Sequence, residues 1–220
     1  MINFDLIQTA LPHLLRGTII TLEITFLSLL IGFIGGTILA IIQTSGPRFL
    51  YYAVEMYATL IRGTPMLIQI FFLNFVLLPA LHLPISVFWG AVIAIGLNSS
   101  AYVSQIVRSG IKSVSAGQIE AAKTLGIKQG DIMRFIILPQ AIRIILPALG
   151  NESITLIKDS SLASLIGVME LYNEGRVVIS QTYDSLTIFA AMAAIYLFLT
   201  CTISFILTRI EKRLQWHTAD

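Results

Sequence analysis

Glu120-Ala121-Ala122 is followed at fixed spacing by Gly126 and by Ile136, Leu138 and Pro139, in the order E-A-A-x3-G-x9-I-x-L-P. The set holds no nucleophile–base pair and no ligand cluster. Ala121 and Ala122 favour a helix with a slim face that can enter a groove. Gly126 can take the left-handed conformation that ends a helix and turns the chain back, and Glu120 offers a charge to a basic partner. A second set of polar residues interrupts apolar sequence: Asn98-Ser99-Ser100, Asn151-Glu152-Ser153 and Lys158-Asp159-Ser160-Ser161. Within hydrocarbon such groups must find partners or line a wet cavity, which makes them candidates for a substrate path. Serines can bond back to their own helix, which leaves Asn98 the most telling of the first trio. Glu152 has three candidate partners: a cationic substrate group, Arg62 or Arg143. A third set, Arg62-Gly63-Thr64-Pro65, puts an arginine and a proline inside an apolar stretch. Its arginine is a candidate for gating or for structural support, and Pro65 should kink the helix near Ile61 and Arg62.

The elements that must carry these residues are membrane helices. The 220 residues are 56% hydrophobic and 12% charged, against about 25% charged in a soluble domain. The composition implies an all-α integral membrane protein, a single domain over 1–220 with about five transmembrane helices. Spans are expected over 17–42, 51–78, 85–107, 136–157 and 186–207. Residues 1–16 should form a short interfacial helix. With Asp5 early and no short basic start before a short apolar core, this end does not read as a cleaved signal. Glu23 is expected near the start of the first span, within reach of headgroups. Gly32 and Gly36 form a small-xxx-small pair suited to close helix packing inside the subunit. Pro139, Pro147, Gly150 and the run from Asn151 to Ser153 should break the fourth span, as happens where transporters hold substrates. Residues 162–168 read as re-entrant or interfacial, and 169–184 as a net-negative loop. Trp89 and Trp216 suit interfacial positions. Cys201, the single cysteine, permits no internal disulfide and is expected to pack within the last span.

Charge orients the chain. Nine basic residues, at 48, 108, 112, 123, 128, 134, 209, 212 and 213, fall on one side, against Arg16, Lys158 and Arg176 on the other. The positive-inside rule then puts the N-terminus outside, the C-terminus in the cytoplasm, and 108–135 in the cytoplasm as a coupling segment. A net charge of +2 without a basic cluster gives no footprint for nucleic acid. His13, His82 and His217 are scattered, which argues against an intramembrane enzyme or a metal site. No internal repeat appears, against a secondary transporter. An ATP-independent carrier or channel would use the polar midplane residues but leave the E-A-A spacing unexplained. No G-x4-G-K-[ST] loop occurs, so the chain has no phosphate cradle of its own.

The E-A-A pattern resembles the EAA loop of bacterial ABC-importer permeases, the segment that docks on the ATP-binding subunit. Ser115-Ala116-Gly117-Gln118 resembles the stretch leading into that loop. R-G-T-P at 62–65, L-P-A-L-G-N-E at 146–152 and K-D-S-S-L-A-S-L-I-G-V-x-E-L at 158–171 resemble the polar-amino-acid branch of these permeases. The resemblance covers nearly the whole chain. It implies a type I ABC importer-like permease fold and a membrane-spanning permease subunit carrying polar amino acids across the bacterial cytoplasmic membrane. Its implied partners are cytoplasmic ATP-binding subunits, a second permease subunit in a homo- or heterodimer, an external solute-binding protein and the amino-acid substrate. The permease is expected to hold no cofactor, because ATP and Mg belong to the partner ATPase. The resemblance further assigns ATPase coupling to Glu120, Ala121, Ala122, Gly126, Ile136, Leu138 and Pro139.

Overall fold

Eight helical elements, and no strand, make up residues 2–216, which the computed structural model describes. We label them α1 (Phe4–Ser45), α2 (Arg48–Arg62), α3 (Met66–Ala80), α4 (Val87–Lys112), α5 (Ala116–Thr124), α6 (Gln129–Ile166), α7 (Leu171–Thr182) and α8 (Ser185–Trp216). Four of them are long and apolar enough to cross a membrane, and α2 with α3 supplies a fifth crossing if the bent pair is taken together.

α1 opens on Asn3, whose side chain accepts the Leu6 N–H. It then runs unbroken for 42 residues, so the separate interfacial helix expected over 1–16 does not exist. Pro12 inside the helix costs about 3 kcal/mol. Ala10 and Leu14, buried on either side of it against Leu171, Val178, Ile188 and Met192, hold the chain helical through it. Glu23 consequently lies near the middle of α1 and exposed, not at the start of a span.

α4 is the hub. Its most apolar window is 67% enclosed by the rest of the chain, against 22% for α6 and 17% for α8. α1 lies along it at close range because Gly32 and Gly36 carry no Cβ. A Cβ on Gly32 would stand 2.7 Å from Cβ of Ser99, and one on Gly36 2.8 Å from the Ser100 carbonyl oxygen. The small-residue pair therefore serves packing within the subunit, as expected.

Between α2 and α3 the chain turns through 105°, a corner instead of the expected kink. Proline disfavours helix in the residue before it as well as removing a donor, so α2 stops at Arg62 and α3 starts beyond Pro65. Further on, two stretches widen into π turns, Leu73–Leu77 and Ile132–Ile137, each ending two residues before a proline, Pro79 and Pro139. The proline ring clashes with the carbonyl four residues back, and a widened turn makes room for it.

The break expected at Asn151–Ser153 is absent, and Leu138–Asp159 is continuous α-helix. Ser153 Oγ donates to the Leu149 carbonyl, and Gly150 sits against Leu207 of α8, so the polar run is satisfied without unwinding. The irregular part comes later, as a 3-10 turn over Ser160–Ile166 that ends at Gly167. The expected loop 169–184 contains α7. Glu170 caps it, accepting from the backbone N–H of Tyr172 and Asn173 and from the Tyr196 hydroxyl. Burial pushes the Glu170 carboxyl above its usual range, and these donors pull against that. At the head of α8, Asp184 accepts from the backbone N–H and the hydroxyl of Thr187, which hold its carboxyl below the usual range. Cys201 is exposed on α8 instead of packed inside. The expectations for the Trp216 side chain and for His217 lie outside the described residues.

Candidate functional site

The segment expected to couple to an ATPase is built as a short helix with a hard stop. α5 closes in a Schellman turn, in which Ile127 N–H donates to the Ala122 carbonyl and Gly126 N–H to the Lys123 carbonyl. That geometry needs a positive φ, and Gly126 has φ +75°. The helix divides the two alanines. Ala122 is buried in a cluster with Val114, Ile132 and Ile137, so it anchors α5 to its own subunit and does not share the outward face expected of it. Glu120 and Ala121 point outward, and Leu125 is 79% exposed. Ile136 packs against the same buried cluster, whereas Leu138 and Pro139 are exposed just after the π turn of α6. Gln140 Nε2 donates to Gln118 Oε1 at 2.8 Å and ties α6 back to α5.

The second site surrounds Asn98-Ser99-Ser100 in the middle of α4. All three are buried, and each meets a different element. Asn98 Nδ2 donates to Gln69 Oε1 on α3 at 2.8 Å, and Ser99 Oγ donates to Glu152 Oε1 on α6 at 2.8 Å. Ser100 Oγ donates to the Leu97 carbonyl and lies 2.8 Å from the Tyr57 hydroxyl of α2. Three successive residues of one turn thus bind three helices to the hub. Of the partners open to Glu152 in the sequence, neither Arg62 nor Arg143 forms an ion pair with it among the described residues. Arg62 instead lies over the Tyr102 ring at 5.8 Å.

Glu152 and Asp159 are both half-buried and sit two turns apart, hence on one face of α6. Asn151 and Lys158 are exposed. The hydroxyls of Ser153, Ser160 and Ser161 bond back to the carbonyls of Leu149, Ile157 and Lys158 and are thereby occupied. The corner residues Arg62, Gly63, Thr64 and Pro65 are all exposed and are stapled from the side by Gln69. Its amide donates to the Ile61 carbonyl at 2.7 Å, to the Thr64 carbonyl at 3.0 Å and to Thr64 Oγ1 at 2.8 Å. Gln69 therefore satisfies carbonyls freed at the end of α2 and passes the connection on to Asn98. Sequence reasoning missed Gln69 and Tyr57. The available signal for Gln69 was a polar residue one helical turn past the corner proline. An apolar hollow of about 200 Å³, lined by Phe26, Leu29, Leu30, Phe33 and Leu149, carries no polar side chain and stands apart from this network. Among the described residues no cluster of three or more His, Cys, Asp or Glu could hold a metal.

Residues 32–216 match the family described as binding-protein-dependent transport system inner membrane component. A glutamine transport system permease protein of Escherichia coli (strain K12) is 37% identical, over 97% of this chain and 98% of its own length. An arginine transport system permease protein of Bacillus subtilis (strain 168) is 36% identical over the same shares. A crystal structure of an amino acid ABC transporter with histidines superposes with a TM-score of 0.90 at 38% identity, over 97% of this chain and 99% of that one. An inward-facing methionine ABC transporter, at 22% identity and a TM-score of 0.75 over 91% of this chain and 95% of its own, shares the fold.

Proposed function

The chain belongs to the family of binding-protein-dependent transport system inner membrane components, and from that premise we propose that it is the permease subunit of an ATP-driven importer of polar amino acids. The relatives are named for glutamine and for arginine, which supports the amino-acid class without choosing one member. In this reading 1–220 is one membrane domain of the type I importer kind. It pairs with a second permease subunit, receives solute from an external binding protein and docks on cytoplasmic ATP-binding subunits. The N-terminus lies outside and the C-terminus in the cytoplasm. ATP and Mg are bound by the partners, in keeping with the missing phosphate loop. Glu120, Ala121 and Leu125 present the docking face, while Ala122, Gly126 and Ile136 hold α5 in shape. Closure of the ATPase moves α5, and differential binding of the closed ATPase to one arrangement of the helices shifts the population between inward- and outward-facing states. Solute passes along Asn98, the Asn151–Ser153 turn and the Lys158–Ser161 turn, under the corner at Arg62–Pro65.

The observation that carries this reading is Leu125, a large apolar side chain 79% exposed beside Gly126 at the end of α5. Its own subunit covers little of it, so a second protein explains it best. In proteoliposomes with the cognate ATPase and binding protein, Leu125→Glu is expected to leave the permease folded, lower ATPase binding and cut ATP-dependent uptake at least about tenfold, as loss of a central apolar anchor does. Undiminished ATPase binding and uptake in the variant would refute the docking assignment.

A further inference from the structure

α2 buries only Val54 and Ala58 as apolar side chains, so its hold on the bundle is largely polar. At the end nearer α5, Glu55 and Arg108 meet across α2 and α4, with Arg108 Nη1 3.2 Å from Glu55 Oε2. Arg108 Nη2 donates to the Tyr51 hydroxyl at 3.0 Å, and the guanidinium lies 5.2 Å from the Tyr51 ring centroid. From α1, Gln43 Nε2 donates to the same Glu55 oxygen at 2.9 Å. Three helices are therefore fastened at one carboxylate. Arg108 is 16% exposed and Glu55 43%, so the arginine is the more desolvated partner and would be left with a buried, uncompensated charge if the contact were broken.

Arg108 stands one turn before Lys112, where α4 ends, and residues 113–115 join it to α5. That linker is short and anchored: Ser113 N–H continues the helix onto the Ser109 carbonyl, and Val114 is buried in the cluster that holds Ala122. A displacement of α5 would therefore act on the end of α4 through this anchored linker. From there the polar contact onto α2 nearest α5 is Arg108 with Glu55, ahead of Tyr57 with Ser100 and Arg62 over Tyr102 further along the same helix pair.

We propose that the Glu55–Arg108 pair is the positioning link that transmits movement of α5 to α2 and so couples ATP use to opening of the solute path. The inference rests on the reading of α5 as the ATPase-docking helix. Arg108 suits the task because it engages Glu55 and Tyr51 with separate nitrogens of one planar group, which lysine cannot do.

The test uses the full transporter in proteoliposomes, with ATP hydrolysis and solute uptake measured on the same preparation and ATPase binding as an assembly control. ATP-dependent uptake by the wild type comes first, and its absence would remove the function reading itself, leaving the link unsupported. Given that uptake, Arg108→Gln and Glu55→Gln are each expected to bind the ATPase normally and hydrolyse ATP within about twofold of wild type. Each should carry about tenfold less solute per ATP, in the range of energetic couplings between sites. The double variant should be no worse than either single, because residues acting as one unit are not additive, and Arg108→Lys should fall between. The link is overturned if hydrolysis and uptake fall in proportion, if neither changes, or if the losses multiply in the double variant.

Discussion

Glu152 places a carboxyl group in the membrane domain, and Ser99 Oγ is the hydrogen-bond partner the structure gives its side chain. A hydroxyl leaves a carboxylate's charge uncompensated, so a cationic group on a substrate would gain more from this position than a neutral one. A hydrogen bond to a charged group contributes about 1.5–3 kcal/mol, or roughly tenfold or more in a binding constant. Glu152→Gln keeps an oxygen for Ser99 and removes the charge. Uptake of arginine is therefore expected to fall about tenfold further than uptake of glutamine, measured with both solutes on the same proteoliposomes. Equal losses would assign Glu152 to the Ser99 contact alone. The polar trio on α4 and the acid on α6 were each legible in the sequence, because polar residues in apolar runs stand out. Their pairing was not. Asn98 finds Gln69 and Ser99 finds Glu152 across packed helices, and nothing in local spacing encodes such partners. Glu55 and Arg108 show the same limit: both were visible as charges, and only the fold puts them 3.2 Å apart.

At the scale of elements, the contact between α1 and α4 decides how closely the hub is wrapped. A Cβ on Gly36 would lie 2.6 Å from Cβ of Val103 and 2.8 Å from the backbone oxygen of Ser100, and backbone cannot rotate away. Overpacking of this kind costs about 1–3 kcal/mol. Gly36→Ala is thus expected to lower the thermal midpoint of the detergent-solubilised protein by roughly 2–12 °C. Gly130→Ala, where the added Cβ meets nothing within 4 Å, should leave it within a degree or two. An equal drop in both would show that close packing of α1 on α4 is not what the first variant disturbs. Apolar runs located the four long apolar helices and the bent pair α2 and α3, since hydrocarbon thickness imposes a length that composition reveals, but not their ends: α1 starts at Phe4 and α6 at Gln129. Breaks were harder to place. Prolines report where a hydrogen bond is lost, not whether a π turn, as before Pro79 and Pro139, or buried flanks, as around Pro12, will absorb the loss. α7 stayed hidden because Asn173, Glu174, Gly175 and Arg176 read as loop, whereas Glu174 and Gly175 are buried in the packed subunit.

For the molecule as a whole, α6 and α8 leave most of their apolar windows open while α4 is enclosed. Such unfilled apolar faces suit lipid and, in the proposed reading, a second permease subunit; α6 is also the helix that bears Glu152 and Asp159. Orientation in the membrane then fixes which end of the polar path meets the ATPase. The basic residues favour one answer nine to three: α5 and Lys128 inside, α7 and Arg176 outside. Cys201 is the single native thiol and is exposed, so labelling begins from Cys201→Ser. On that background, Arg176→Cys in intact cells is expected to react with a membrane-impermeant maleimide while Lys128→Cys does not, and inside-out vesicles should reverse the pattern. Both positions are exposed in the fold, so failure to react reports the membrane and not burial. The opposite labelling would turn the chain over and place Leu125 and Gly126 where no ATP-hydrolysing subunit can reach them. The docking role of α5 and the Glu55–Arg108 link would then fall together.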